Sequence, residues 1–385
     1  MSPTACDRVA PYDGTIWDNP LPNSAYPGPV PIHGAYSSSA MNVNVGYNVV
    51  LPPEYDSHPD ARFPVVYVLH GAGVDENGFL LAIGLNPPAI GYINFNQSGI
   101  IVVYPNGGRQ SKYYDAVSGS PMYGHEMVET TILYELIPHI DGNFRTIPAR
   151  EGRAIMGSSM GGLGALRLAF KRPDIFSSVR SWSAAIFPTA DQAFNVIPGV
   201  DVGEYMFNND ASLYEKGNPY NLAKQNADWI KSVGLGIHMD VGGDDSLLPN
   251  NRALTDVLDS VGIPHDALQI FPGLGHEWRV ISLDSLQWAK QYFSYTPINS
   301  PKLDLTGGGF ARNCEWRCRH NAASLGPGFA GRGAWIHPLT RTVGASTGRE
   351  PVGDASRICA APLRAHGAST QQPPGGSPHL AHARR

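Results

Sequence analysis

Residues 153–165 have the sequence Arg153-Ala-Ile-Met-Gly157-Ser-Ser159-Met-Gly161-Gly-Leu-Gly-Ala165. A short apolar run leads into a Gly-x-Ser-x-Gly motif, and apolar residues at helical spacing follow it as far as Pro173. This pattern predicts a buried strand, a sharp turn and a helix, with Ser159 at the turn. Gly157 and Gly161 suit the turn because side chains there would collide with neighbouring elements.

A serine at such a turn takes a strained backbone conformation, which projects its hydroxyl above the sheet. The helix behind it supplies free backbone N–H groups and the positive end of a helix dipole. The motif alone is weak in a chain with 43 glycines, so the inference depends on the strand before it and the helix after it. Ser159 is therefore a candidate nucleophile.

Strand-like and helix-like segments alternate on both sides of this turn. Continuous apolar runs at 63–69 and 100–104 are typical of strands buried on both faces. Further strands are expected at 44–51, 178–183, 236–241 and 268–271, and helices at 130–140, 250–261 and 283–292. Repeated strand–helix units predict an α/β fold with a mostly parallel central sheet and helices on both faces.

Composition divides the chain into three predicted parts. Residues 1–30 are expected to form an extended N-terminal segment, and residues 31–298 the catalytic domain. Residues 299–385 are expected to be a disordered tail rich in Arg, Gly and Pro, since no apolar period persists there. The spacing Cys314-x-x-x-Cys318-x-His320 lacks the second pair that a zinc site needs, so no metal is predicted.

Several functional classes are disfavoured. The formal net charge of −5 argues against a dedicated nucleic-acid binder. No apolar run approaches the roughly 20 residues of a membrane span. The first residues lack a basic start followed by an apolar core, so no signal peptide is expected.

A serine nucleophile needs a histidine base and an acid that orients it. In this fold class the chain order is serine, acid, histidine, with the last two on loops after later strands. The loop after the strand at 236–241 carries Asp244 and Asp245, and the loop after the last strand carries His276. Asp245 is favoured over Asp244 by the position that the loop must take to reach the histidine. Asp240, inside the strand, is expected to belong to the fold.

An oxyanion hole needs two backbone N–H groups aimed at the carbonyl oxygen of the substrate. Met160, the residue after the nucleophile, is expected to supply one of them. The other is expected from the glycine-rich loop at 70–74, with Ala72 or Gly73 as the donor.

Five motifs in order carry a family resemblance. They are Tyr67-Val-Leu-His-Gly-Ala-Gly73, Val102-Val-Tyr-Pro-Asn-Gly107, Glu135-Leu-Ile-Pro-His-Ile-Asp141-Gly-Asn-Phe-Arg-Thr146, the serine motif itself and Gly273-Leu-Gly-His-Glu-Trp278. Over about residues 38–295 the chain resembles the esterase D / antigen 85 / feruloyl esterase superfamily. The resemblance implies an α/β-hydrolase that cleaves or transfers acyl groups with no metal or organic cofactor. It matches Ser159, Asp245 and His276 to the catalytic triad.

The expected activity is that of a serine carboxylesterase. The resemblance implies feruloyl or acetyl esters of plant polysaccharide as substrates, and a secreted protein. Tyr113, Tyr114 and Trp278 are expected to line the acyl pocket, and Asp115 the cleft. Alternatives are an acyltransferase of the antigen 85 type with a sugar acceptor, or a thioesterase similar to S-formylglutathione hydrolase. The pair Gly161-Gly162 favours the hydrolase branches, and the oligomeric state stays open.

Overall fold

The computed structural model describes residues 16–26, 30–85, 99–117, 126–194, 202–277 and 285–294. The predicted tail at 299–385 and the Cys314–His320 spacing lie outside these residues, as does most of the predicted N-terminal segment at 1–30. The division of the chain into three parts therefore stays a prediction.

The described residues contain one eight-stranded sheet with the strand order β1-β2-β4-β3-β5-β6-β7-β8. Its strands are β1 Ile32–Ser38, β2 Val43–Val50, β3 Val65–Leu69, β4 Ile101–Pro105, β5 Arg153–Ser158, β6 Ser178–Trp182, β7 Gly236–Gly242 and β8 Gln269–Phe271. The β1–β2 and β2–β4 pairs are antiparallel, and all the pairs from β4 to β8 are parallel. The predicted α/β fold with a mostly parallel sheet is confirmed.

The helices are α1 Gly78–Leu85, α2 Val128–Thr130, α3 Ile137–Asn143, α4 Met160–Lys171, α5 Ala190–Phe194, α6 Val202–Phe207, α7 Ala211–Gly217, α8 Pro219–Gln225, α9 Ala227–Val233, α10 Leu248–Ser260 and α11 Ser285–Lys290. A π-helical segment, Thr131–Leu136, joins α2 to α3. Pro138 lies in the first turn of α3, just after this π-helical segment. A proline has no N–H to donate, and the wider π-helical turn before it accommodates the missing hydrogen bond. In the described ranges, every helix is too short or too polar to span a membrane.

Side chains alternate between the two faces of the sheet, and helices cover both. On β3, Val65, Tyr67 and Leu69 belong to the cluster that includes the apolar side chains of α4. Val66 and Val68 belong to a second cluster with residues of α1 and α11. This alternation follows from the two-residue period of a strand.

Two glycines let α4 approach the sheet closely. A Cβ added at Gly157 would overlap the carbonyl of Gly161, and one added at Gly161 would overlap the carbonyl of Leu69. Because neither glycine has a side chain, the first turn of α4 packs directly against the ends of β3 and β5. That packing fixes where the residue between them, Ser159, points.

Candidate active site

Ser159 stands at a strained turn between β5 and α4. Its backbone has φ 57° and ψ −116°, a conformation that non-glycine residues rarely adopt. Its N–H donates to Trp182 O at 2.9 Å, and its carbonyl accepts from Leu163 N–H at 3.1 Å and Ala185 N–H at 2.9 Å. Such strain persists only where the surroundings determine the conformation. Here the conformation is determined by backbone hydrogen bonds to β6, to the segment after it and to α4.

The structure brings together the three residues predicted to form the triad. His276 Nε2 lies 2.9 Å from Ser159 Oγ, and His276 Nδ1 lies 2.9 Å from Asp245 Oδ2. With its proton on Nδ1, a neutral imidazole donates to Asp245 and accepts the serine proton at Nε2. The His276 side chain is 43% exposed, so the ring can reach a substrate.

Geometry separates the two candidate acids. Asp245 is buried, and its Oδ1 accepts from Leu247 N–H at 2.9 Å. Burial favours the protonated acid, but the hydrogen bonds from His276 and Leu247 outweigh it and hold the pKa of Asp245 below its usual value. Asp244 is exposed on the same loop. Asp240 is buried in β7 and pairs with Arg180 at 2.7 Å, which gives it a structural role.

The loop after β3 lies beside the nucleophile, but one of its two predicted donors is used elsewhere. A Cβ added at Gly71 would lie 3.6 Å from Ser159 Cβ, which places this loop against the turn. Gly73 N–H donates to Arg109 O at 2.8 Å, so it is not available to an oxyanion. Among the described residues no acceptor is found for the N–H of Ala72 or of Met160, the first residue of α4. Of the predicted donors, Met160 and Ala72 therefore remain as candidates.

A buried histidine holds this loop in place. Gly107 N–H donates to His70 Nε2 at 2.9 Å, so the ring proton is on Nδ1 and donates to Gly71 O at 2.8 Å. Burial lowers the pKa of His70, which favours the neutral ring that this pair of hydrogen bonds requires. His70 thus links the loop after β3 to the loop after β4.

The predicted substrate-binding tyrosines do not face an open cleft. Tyr113 is fully buried, and its hydroxyl donates to His70 O at 2.9 Å. Tyr114 is buried beneath the guanidinium of Arg167, whose Cζ lies 3.6 Å from the ring centroid. Asp115 accepts from Thr130 N–H and Oγ1 and so fixes the start of the neighbouring helix. Trp278 lies outside the described residues. Both tyrosines are therefore buried packing residues, and the hydroxyl of Tyr113 helps to hold the loop after β3.

Lys112, which belongs to none of the sequence motifs, lies in a small pocket beside the turn. The pocket, called the Lys112 pocket below, is lined by Lys112, Leu163, Ala185, Phe187, Ala193, Phe207 and Tyr214. Lys112 is 7% exposed and has a positive φ of 52°. The sequence around this lysine gives no indication that it is buried, because lysines are seldom buried without a partner.

Replacing Lys112 by methionine is expected to stabilise the protein at pH 7. Burial lowers the pKa of Lys112 from 10.5 to about 8, because the apolar pocket disfavours the charged amine. Between these pH values the unfolded chain keeps a proton that the folded chain has lost, so the stability that depends on Lys112 rises with pH. A pKa shift of this size corresponds to a change of roughly 3 kcal/mol at most in the free energy of unfolding.

Urea unfolding of both proteins at pH 7 and pH 10 tests this expectation. The methionine variant should be the more stable protein at pH 7, and its advantage should shrink at pH 10. An advantage that does not change with pH would show that the amine is not desolvated in the folded state.

Within the described ranges, one group of side chains has the spacing of a metal site. Ligand atoms of Asp18, His33 and Glu76 all lie within 4.8 Å of one another. Each already has a protein partner: His33 Nε2 lies 2.8 Å from Asp18 Oδ1, and Glu76 accepts from the N–H of Asn19 and the amide of Asn106. Burial raises the pKa of Glu76 to about 7. The group fastens the N-terminal segment to β1 and to the loop after β3.

Comparison with known proteins identifies relatives of most of the α/β body. A family model described as "Putative esterase" matches residues 38–262. Esterase Rv1288 of Mycobacterium tuberculosis is 27% identical over 270 residues, which is 63% of this chain and 55% of the relative. The chain thus spans about half the length of that relative.

Two solved structures illustrate the likeness of fold. FphF, a fluorophosphonate-binding serine hydrolase of Staphylococcus aureus, aligns with a TM-score of 0.57 and 21% identity over 68% of this chain and 98% of its own. A ferulic acid esterase aligns with a TM-score of 0.55 and 22% identity over 69% of this chain and 98% of its own. At these identities the likeness concerns the fold.

Proposed function

The chain belongs to this esterase family and has the α/β-hydrolase fold, and from that premise we propose that it is a serine carboxylesterase. The observation that carries the proposal is the continuous hydrogen-bond chain from Ser159 Oγ through His276 to Asp245. An activated serine of this kind forms an acyl-enzyme and needs no metal or organic cofactor.

Each residue of the site has a role in the proposed reaction. Ser159 Oγ attacks the ester carbonyl while His276 Nε2 takes its proton, and Asp245 holds the ring in the required tautomer and stabilises the imidazolium. The N–H groups of Met160 and Ala72 donate to the negatively charged oxygen of the tetrahedral intermediate. His276 then protonates the leaving alcohol, and the acyl group stays on Ser159. Water, deprotonated by the same histidine, releases the acid.

We also propose that the acyl group is short. The Lys112 pocket offers about 10 Å³ of free space, enough for about one water molecule and far below the roughly 300–1,000 Å³ of typical ligand pockets. The burial of Tyr113 and Tyr114 removes two of the side chains expected to line an aromatic pocket. Of the two substrate classes that the resemblance implies, acetyl esters are therefore favoured over feruloyl esters.

A panel of esters tests the proposal. We expect turnover of p-nitrophenyl acetate, slower turnover of methyl ferulate and the slowest turnover of a long-chain p-nitrophenyl ester. Two further assays distinguish the alternatives. An acyltransferase would need an added sugar acceptor for turnover, and a thioesterase would hydrolyse a thioester faster than an oxygen ester. Failure to hydrolyse any ester, together with failure of a fluorophosphonate to label Ser159, would contradict the proposed function.

A further inference from the structure

The segment that follows β6 is bonded both to the nucleophile and to the loop that carries its acid. On one side, Ala185 N–H donates to Ser159 O at 2.9 Å. On the other side, the fully buried Asn251 donates from Nδ2 to Ala184 O at 3.0 Å and to Leu247 O at 2.9 Å. This segment therefore joins the turn of the serine to the loop after β7.

Ser183, the first residue of the segment, is held in a strained conformation. Its φ is 46°, in a region that non-glycine residues seldom occupy. Its N–H donates to the carbonyl of Asp240 on the neighbouring strand β7 at 2.7 Å, and the residue is only 2% exposed. Such strain persists only where the surroundings determine the conformation. The fold thus fixes the direction in which the Ser183 side chain leaves the backbone.

The hydroxyl of Ser183 adjoins the catalytic acid. It has no hydrogen bond of standard geometry among the described residues. Burial alone would raise the pKa of Asp245, and the hydroxyl lies close enough to join His276 and Leu247 in lowering that pKa. A buried hydroxyl without a partner is costly, and its proton rotates freely to suit an acceptor. The Asp245 carboxylate is the acceptor beside it.

We propose that Ser183 is a positioning residue for the acid, whose hydroxyl donates to the Asp245 carboxylate and holds it in the orientation that accepts from His276 Nδ1. A carboxylate has about four acceptor sites, so this donor adds to the N–H of Leu247 and to the imidazole without displacing either. Ser183 touches no reacting atom and acts through Asp245. This inference rests on the proposed esterase activity, because it adds a fourth residue to the hydrogen-bond chain of that reaction.

A double-mutant cycle between positions 183 and 245 tests the proposal. The readout is the rate constant for labelling of Ser159 by a fluorophosphonate in the wild type, in Ser183→Ala, in Asp245→Asn and in the double variant. Ser183→Ala should lower this rate constant about 10-fold, the effect of losing one hydrogen bond to a charged group. In the Asp245→Asn background the same change should have less than about a threefold effect, because the charge on which it acts is gone.

Ser181→Ala is the matched control. Ser181 is a second buried serine, two residues earlier on β6, and its hydroxyl also has no hydrogen-bond partner within the described ranges. Its removal should leave labelling near the wild-type rate. With p-nitrophenyl acetate, Ser183→Ala should lower kcat and leave KM close to the wild-type value, because both chemical steps use the same triad and the hydroxyl does not contact the substrate.

Other outcomes would overturn the inference. An equal loss from Ser183→Ala in both backgrounds would show that the residue supports the turn of Ser159 instead of the acid, and an equal loss from Ser181→Ala would show a general effect of removing buried hydroxyls. Should Ser183→Ala fail to fold, Ser183→Gly takes its place, since glycine suits a positive φ and also lacks the hydroxyl. Labelling of Ser183→Gly at the wild-type rate contradicts the inference. A wild type that reacts normally without coupling between the two positions refutes this inference alone, whereas a wild type that neither reacts with the fluorophosphonate nor hydrolyses any ester refutes the proposed function as well.

Discussion

Ser159→Ala is expected to lower kcat for p-nitrophenyl acetate by about 10⁴-fold or more. The change removes the attacking oxygen and leaves the N–H groups of Met160 and Ala72 in place, so some catalysis over water should remain. The fold should persist, because the bonds that hold the turn come from backbone atoms of Trp182, Leu163 and Ala185. Alanine at a φ of 57° is strained to about the same degree as serine.

Single-turnover kinetics and labelling by a fluorophosphonate measure this effect. Ser158→Ala is the matched control, because it removes a hydroxyl from the adjacent residue of β5 and should leave turnover near normal. Thermal unfolding of both variants should show that the loss of activity is not a loss of folded protein. Near-normal rates in Ser159→Ala, or labelling of Ser158 in the wild type, would contradict the assignment.

The central part of the fold could be predicted from sequence because it follows local patterns. Buried parallel strands such as β3 and β4 are unbroken apolar runs, and the serine turn combines a strand, a glycine motif and a helix. β1 was not predicted. It is an edge strand with several exposed residues and a glycine at Gly34, so its sequence lacks a clear apolar alternation.

The helices between β6 and β7 also escaped prediction. From α5 to α9 each is five to seven residues long, too short for an apolar period to stand out. Two of them have side-chain N-caps that were not recognised in the sequence. Asp210 accepts from Ser212 N–H at the start of α7, and Asn218 accepts from Tyr220 N–H at the start of α8. These helices supply Ala193, Phe207 and Tyr214 to the Lys112 pocket, so the pocket could not be predicted either.

Within the site, chain order and loop position were enough to propose the triad residues, but not the oxyanion donors or the substrate contacts. The loop at 70–74 left Ala72 and Gly73 equivalent, and a backbone bond from Gly73 to Arg109 separates them. That bond joins loops that follow two different strands, which no local pattern encodes. The burial of Tyr113 likewise depends on Gly107 and Gly164, where an added Cβ would collide with its ring.

Asp245→Asn is expected to lower kcat by about 10⁴-fold, whereas Asp244→Asn should change it by less than about threefold. An asparagine at 245 cannot supply the negative charge that stabilises the imidazolium, and its amide can present an N–H to Nδ1 and so favour the wrong tautomer. The lowered pKa of Asp245 means that the wild-type group is ionised at neutral pH, so the substitution removes a full charge. Asp244 is exposed on the same loop, and the hydrogen bond to His276 Nδ1 is made by Asp245, so Asp244 provides a matched control for the loop.

The two asparagine variants separate catalysis from folding when kcat and thermal stability are measured together. Asp245 also accepts from Leu247 N–H, one residue before α10 begins, and the amide oxygen of asparagine can keep that bond. Asp245→Asn should therefore lose activity out of proportion to any loss of stability. Because the serine and the oxyanion donors are intact, Ser159 should still react with a fluorophosphonate, but much more slowly than in the wild type. Equal losses of kcat in the two variants, or a greater loss in Asp244→Asn, would show that the acid that orients His276 is not Asp245.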